Sequence, residues 1–126
     1  MDIMNLPRLG PFVGISADKK ITFEDLPGRT FRLIIYGAYD AFGLIGSECN
    51  GIAVLDEDKL EVVCDEISRT GTGYCGPSQK QISAFAHMQT LSWNDFRNYI
   101  NDHPRSRFTY HEDGTIDKRY AAAGGR

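Results

Sequence analysis

The residues best suited to covalent chemistry lie in a glycine-rich stretch, residues 71–79 (GTGYCGPSQ), which places Cys75 just before a predicted helix. Free N–H groups and the helix dipole favour negative charge at a helix N-terminus, so a thiol there is readily converted to a thiolate. A thiolate is a nucleophile that can form a covalent intermediate with a substrate. Cys75 is therefore the candidate catalytic residue if the chain is an enzyme.

A cysteine nucleophile also needs a base, and the sequence offers three histidines for this role. His87 lies too far along the same predicted helix to reach back, and His103 precedes a proline at a helix end. His111 lies near the tip of the last predicted hairpin and is the candidate base.

The chain order Cys75, His111 and Asp117 resembles that of papain-like cysteine hydrolases, and bacteriocin-processing peptidases of that class carry the same Cys-Gly-Pro at a helix start. The resemblance implies a hydrolase in which Asp117 orients His111. A two-residue turn at Asp113–Gly114 would, however, pair His111 with Ile116 and direct His111 and Asp117 to opposite faces of the hairpin. Orientation of His111 would then need a bulge, or one of the side chains Asp95, Asn98 and Asn101.

The stretch Tyr74–Ser78 also resembles the thioredoxin active site, with Ser78 in place of the second cysteine. That family places a strand and a helix between its first helix and a later proline, which corresponds to Pro104 here. The sequence between Cys75 and Pro104 predicts two helices instead. Without a resolving thiol at position 78, disulfide catalysis could not be completed within the molecule.

The same loop has two further interpretations. Its glycines allow backbone N–H groups to converge ahead of a helix, as in sites for phosphate or carboxylate. The candidate binding residues are then Gly71, Gly73, Gly76 and Ser78. The alternative is a glycine-rich connection that simply enters a helix and binds nothing.

A second candidate binding site lies on the next predicted helix. If Trp93 faces outward beside Arg97, the two side chains form a recognition patch. If the spacing of Trp93, Phe96 and Ile100 instead marks a buried stripe, Trp93 belongs to the core.

The first half of the chain predicts strands. β-branched and aromatic residues are concentrated in the runs Thr30–Tyr36, Ile52–Leu55 and Leu60–Ile67. Phe12–Ile15 is predicted as a short extended piece in an otherwise irregular region, and Gly37–Gly51 as a long connection. Within the last run, alternation places Leu60, Val62 and Cys64 on one face, and Cys64 is then a core residue.

The second half predicts two helices, residues 78–89 and 92–102, and a hairpin over Arg107–Tyr120. The apolar face of the first helix is predicted at Ile82, Phe85 and Ala86. The order of elements predicts an α+β domain over residues 1–120. Its antiparallel sheet has about five strands, both helices pack on one face, and a free tail follows at 121–126.

The composition of the chain excludes several classes of function. The chain of 126 residues has a formal net charge of −3, which disfavours nucleic-acid binding. The sequence has no run of about 18 apolar residues, no signal-peptide pattern and no close cysteine pair. We therefore predict a cytoplasmic protein that needs no membrane, metal or cofactor. The charge is uneven, because residues 1–67 hold 12 acidic and 6 basic side chains and residues 68–126 hold 5 and 8.

These features predict an interaction module, such as an immunity, inhibitor or accessory protein, which binds another protein through charged surfaces. The charge pattern offers two such surfaces, an acidic cluster within residues 56–66 and a basic C-terminal part. The alternative is a cysteine enzyme, either a hydrolase or a thiol enzyme, centred on Cys75. The sequence indicates no oligomeric state.

Overall fold

The fold is built on a four-stranded antiparallel sheet. The computed structural model describes residues 12–39, 47–72 and 76–119. In chain order the elements are β1 (Phe12–Thr22), β2 (Thr30–Tyr39), β3 (Ser47–Asp56), β4 (Glu61–Thr72), α1 (Gln79–Met88), α2 (Trp93–Asp102), β5 (Phe108–Tyr110) and β6 (Ile116–Lys118). The sheet order is β1-β2-β3-β4, and β5 and β6 form a separate hairpin. The predicted α+β class is confirmed, with both helices in contact with the sheet.

The strands are longer than the sequence predicts. β1 runs continuously to Thr22, and β2 and β3 pair as far as Tyr39 opposite Glu48, so part of the predicted connection is strand. Glycine weakens a strand because it has no side chain to pack. Here Tyr36 lies opposite Gly51, and its ring comes within 2.6 Å of the position that a Cβ on Gly51 would take. The tyrosine ring therefore fills the space over the glycine.

A β-bulge in β4 determines which of its residues share a face. Cys64 and Val62 pair with consecutive residues of β3, so Val63 is the extra residue. The bulge puts Val62 and Cys64 into two different apolar clusters. Leu60 precedes the strand and lies exposed in the turn. The predicted common face of these residues is therefore wrong, whereas the burial of Cys64 is confirmed.

The main core lies between the sheet and the helices and is rich in aromatic rings. Phe31 of β2 stacks with Trp93 of α2 at a centroid distance of 5.6 Å and meets the ring of Tyr110 edge-on at 5.5 Å. Such pairs contribute about 0.5–1.5 kcal/mol each beyond the area that they bury. A second buried cluster consists of strand residues, namely Ile34, Tyr36, Ala53, Leu55 and Val62.

α1 contacts the main core through Met88 and the sheet through a polar side chain in its first turn. Ser78 and Gln81 form a capping box, in which the Ser78 hydroxyl accepts from the Gln81 N–H and the Gln81 Oε1 accepts from the Ser78 N–H. The Gln81 Nε2 also donates to the Asn50 carbonyl of β3 at 2.6 Å. With Gln81 turned toward the sheet, Ile82 is 45% exposed and Ala86 is exposed as well. The predicted apolar face of this helix is therefore wrong at both positions.

α2 follows its sequence pattern. Ser92 is the N-cap, and its side chain accepts from the Asp95 N–H. The buried residues are Trp93, Phe96 and Ile100. Trp93 is only 2% exposed, so the prediction that it belongs to the core is confirmed.

Candidate interaction surface

Three connections that are far apart in the sequence meet at one end of the sheet. They are residues 23–29 between β1 and β2, 57–60 between β3 and β4, and 111–115 between β5 and β6. The Arg29 side chain joins them, because its Nη1 donates to the Gly114 carbonyl at 2.8 Å and its Nη2 donates to the Asp56 carboxylate at 2.7 Å. We call the three connections together the turn end.

Asp56 lies buried beneath the turn end. Its side chain is 0% exposed and accepts hydrogen bonds from Arg29, from the Tyr110 hydroxyl at 2.7 Å and from the N–H groups of Asp58 and Lys59. A buried carboxylate without such partners would be strongly unfavourable. Burial and, after it, the hydrogen bond to Asp56 raise the pKa of Tyr110, so its hydroxyl keeps the donated proton. This cluster fixes the positions of the turns above it.

The β3–β4 turn is held on one side and exposed on the other. Glu57 donates its N–H to the Thr30 carbonyl, and the Asp58 carboxylate accepts from the Thr30 N–H, both at 3.1 Å. Asp58 also forms an ion pair with the Arg29 Nε at 3.2 Å. Leu60, the last residue of the turn, has a φ of 58° and is 65% exposed. A fixed turn thus presents an apolar side chain to solvent.

The β5–β6 connection is a three-residue hairpin loop and not the predicted two-residue turn. Gly114 donates its N–H to the His111 carbonyl and has a φ of 88°, and His111 donates its N–H to the Thr115 carbonyl. A turn followed by a left-handed glycine is the usual form of such loops. The extra loop residue shifts the hairpin register, and Tyr110 lies opposite Ile116.

The shifted register brings His111 and Asp117 together. Because His111 is bonded to Thr115, Asp117 is its diagonal neighbour on the same face. The His111 Nε2 is 2.6 Å from the Asp117 Oδ2, and both side chains are exposed. The prediction that they point to opposite faces is therefore wrong, because it assumed a two-residue turn. Asn101, an alternative partner for His111, instead bonds the backbone N–H and carbonyl of Tyr110.

Trp93 and Arg97 position the β5–β6 loop. The buried Trp93 donates through its Nε1 to the Glu112 carbonyl at 3.0 Å. The Arg97 Nη1 donates to the Tyr110 carbonyl at 3.2 Å, and its Nη2 reaches the Glu112 carboxylate at 3.4 Å. The outward recognition patch that the sequence offered at this helix is not formed, because the indole is inside the core.

The surface of the turn end is acidic. Its three connections contain six acidic and two basic side chains. Arg29 is one of the two basic residues, and its charge is paired with Asp56 and Asp58. The other is Lys59, which is exposed. The exposed carboxylates are those of Glu24, Asp25, Asp58, Glu112 and Asp113.

The acidic cluster predicted within residues 56–66 is only partly a solvated surface. Asp56 and Asp65 are buried. Glu57 lies 3.4 Å from the Arg32 Nη1, and the same arginine binds Asp18 through two nitrogens at 2.7 and 2.9 Å. Within the described ranges, no three His, Cys, Asp or Glu side chains are grouped so as to hold a metal ion.

The glycine-rich loop is described only in part. Gly71 lies in β4, while Gly76 and Ser78 lead into α1. Gly73 and Cys75 lie outside the described residues. The thiolate and the anion-binding roles of this loop therefore stay predictions.

His111 and the start of α1 lie at opposite ends of the sheet. α1 is bonded through Gln81 to Asn50, whereas His111 belongs to the turn end above Asp56. Asn50 and Asp56 are six residues apart on β3, which corresponds to about 20 Å. The described residues therefore do not bring His111 to the helix start, where the resemblance to cysteine hydrolases requires it.

The order of elements does not support the resemblance to thioredoxin. The segment between α1 and Pro104 lies wholly within the described range 76–119, and this segment contains helix α2 and no strand. The strand that the thioredoxin family places there is therefore missing.

Sequence reasoning did not identify two residues that shape the turn end. Arg29 bonds partners that are 27 and 85 residues away, Asp56 and Gly114, so no local pattern could reveal its role. The apolar alternation that starts at Leu60 predicts a strand position for this residue. Its position directly after four polar turn residues was the available signal for an exposed turn position.

No helix among the described residues is long and apolar enough to cross a membrane. No protein-family model, curated protein or solved structure compared with this chain matches it. The geometry of the turn end is therefore the basis on which a function can be inferred.

Proposed function

We propose that this protein is a non-enzymatic interaction module that binds another protein through the turn end, and that the partner's contact surface is basic. The observation that supports this most directly is the Arg29 link, which joins three connections distant in sequence into one acidic surface. Loops held by a rigid scaffold are the usual carriers of binding sites.

The turn end is ordered before any partner arrives. The Gly114 carbonyl is bonded to Arg29 and the Glu112 carbonyl to Trp93, while Asp56 fixes the β3–β4 turn through two backbone N–H groups. Binding to an ordered surface loses less conformational entropy than binding to a flexible one. The loop anchors therefore support a role in binding.

The charge of the turn end determines the chemistry of the partner. Glu112 and Asp113 lie at the tip of the β5–β6 loop, and Asp58 lies on the neighbouring turn. Exposed carboxylates attract a surface rich in lysine or arginine, speed its association and repel acidic partners. Because these charges are in contact with solvent, the association should weaken as salt rises.

The cellular compartment is part of the proposal. The described cysteines Cys49 and Cys64 are both free thiols. Free thiols are usual in reducing compartments, and we place the protein in the cytoplasm.

Site-specific photo-crosslinking in cells tests the proposal. A photoreactive amino acid is placed at Glu112, at Lys59 or at Ile82, which is exposed on α1 at the far end of the molecule. We expect Glu112 and Lys59 to crosslink to the same protein and Ile82 not to do so. Mass spectrometry identifies the crosslinked protein and the peptide contacted, which should carry lysine or arginine.

Charge reversal provides the second part of the test. Glu112→Lys should reduce the crosslink from Lys59, while Asp102→Lys, an exposed control at the end of α2, should leave it unchanged. The proposal is wrong if Glu112 and Lys59 crosslink to nothing beyond what Ile82 captures. It is also wrong if Glu112→Lys and Asp102→Lys have the same effect.

A further inference from the structure

Leu60 is unusual both in its backbone and in its exposure. It is the one non-glycine residue of the described ranges with a positive φ, at 58°, and its side chain is 65% exposed. A side chain on Cβ is crowded in this left-handed region, where glycine and asparagine are better tolerated. Strained backbone positions and exposed apolar side chains each occur at binding sites, and here they coincide in one residue.

Folding does not require a leucine at this position. Leu60 belongs to neither apolar cluster of the described residues. The turn is held by other groups, since the Asp56 carboxylate bonds the N–H groups of Asp58 and Lys59, and Thr30 bonds both Glu57 and Asp58. The leucine side chain thus adds an apolar contact to a turn that is already fixed.

We infer that Leu60 is the apolar anchor of the turn end and that the partner contacts it with an apolar patch bordered by lysine or arginine. The inference rests on the proposed function, because it assigns the contact chemistry of the same surface. An anchor side chain that enters an apolar site, surrounded by complementary charges, is the arrangement that concentrates binding energy at protein interfaces.

The charges around Leu60 favour a basic partner surface over a second copy of this chain. The chain neighbours of the leucine are Lys59 and Glu61, so this stretch carries one charge of each sign next to it. The acidic excess comes from Asp58 and from Glu112 and Asp113, which lie on the loop that Arg29 joins to the same turn. A second copy that docked with its own turn end would bring carboxylates against carboxylates. An apolar patch between lysines supplies both the apolar contact and the opposite charge, and an amphipathic leucine–lysine helix reproduces that pattern in a peptide.

Binding of two labelled peptides to the full-length protein tests the inference by fluorescence anisotropy. One peptide is an amphipathic leucine–lysine helix, and the other has the same lysines with serine in place of each leucine. Leu60→Asn should weaken the leucine–lysine peptide about tenfold and leave the serine–lysine peptide unchanged. Ile82→Asn, which alters an exposed apolar residue on α1, should change neither.

The outcomes separate this inference from the proposed function. The double variant Glu112→Lys, Asp113→Lys should weaken both peptides, and if it weakens neither the proposed function fails. If the double variant weakens both while Leu60→Asn changes the leucine–lysine affinity less than about twofold, only the role of Leu60 is overturned. Wild-type protein that does not bind the leucine–lysine peptide, or that dimerises through Leu60 in sedimentation experiments, also overturns the inference.

Discussion

The two ends of the sheet are held together by different interactions. At the turn end, the buried carboxylate of Asp56 binds a guanidinium, a tyrosine hydroxyl and two backbone N–H groups. The opposite end, which we call the α1 end, consists of Asn50, Gly51, Ser78 and Gln81. It is held by neutral hydrogen bonds and by the packing of Tyr36 on Gly51.

This difference has an energetic consequence. Removing one member of a buried charged network leaves the others without a partner in a site that excludes water, which costs far more than losing a neutral hydrogen bond. The turn end should therefore be sensitive to changes of charge, and the α1 end to changes of shape. A rigid charged network is also what allows the turn end to present exposed carboxylates and Leu60 in fixed positions.

The largest effect is expected for Asp56→Ala. The variant leaves the Arg29 Nη2 and the Tyr110 hydroxyl without their acceptor, and we expect the free energy of unfolding to fall by about 3–5 kcal/mol in urea denaturation. Asp58→Ala is the matched control, because Asp58 binds the same arginine but is exposed, and it should cost about 1 kcal/mol or less. Equal losses in the two variants would show that burial of the charge is not what stabilises the turn end.

A change of shape should have the next largest effect, at the α1 end. In Gly51→Ala the added Cβ would lie 2.6 Å from the Cζ and the hydroxyl of Tyr36. Gly51 and Tyr36 lie opposite each other in paired strands, so neither backbone can move freely. Overpacking of this kind costs about 1–3 kcal/mol. Gly14→Ala is the control, because no atom lies within 4 Å of its added Cβ and its φ is not positive. If Gly14→Ala lowers the free energy of unfolding in urea as much as Gly51→Ala, the α1 end is not specifically sensitive to a change of shape.

The turn end should also make the stability of the protein depend on pH. The pKa of Tyr110 is raised in the folded protein, first by burial and then by the hydrogen bond to Asp56, whereas an unfolded tyrosine titrates near pH 10. The unfolded chain therefore loses this proton first. The stabilisation is complete below about pH 10 and falls by about 1.4 kcal/mol per pH unit above it.

Urea midpoints measured from pH 9 to pH 11, a range of about one unit on either side of the tyrosine pKa, test this slope. Tyr110→Phe should flatten the alkaline decline, while Gln81→Ala at the α1 end should lower stability by a constant amount and keep the decline. Burial also raises the pKa of Tyr99, so Tyr99→Phe is needed to remove the contribution of Tyr99 to the alkaline decline in stability. An alkaline slope in Tyr110→Phe that is as steep as that of the wild type would contradict the assignment.

Local features of the fold could be predicted from the sequence, and contacts between distant residues could not. The α+β class, the Ser92 cap and the buried stripe of α2 depend on residues close in sequence. The bulge at Val63 and the loop that ends at Gly114 each insert one residue, which reverses the alternation of faces beyond it. The candidate surface was the least predictable part, because Arg29 assembles it from three separate connections.

The smallest effect on stability is expected at Leu60, and it distinguishes the role of this residue in binding from its role in folding. Leu60→Asn should raise the free energy of unfolding by about 0.5–1 kcal/mol, because the short polar side chain of asparagine can hydrogen-bond the local backbone and so offsets the crowding of its Cβ in the left-handed conformation. Leu60→Ala should give no such gain, since alanine keeps the Cβ that causes the crowding and has no polar group that could bond the local backbone. Equal stability of the two variants in urea would show that the backbone at Leu60 is not strained. A variant that is more stable than the wild type and yet binds less tightly would show that leucine at this position serves binding at the cost of stability.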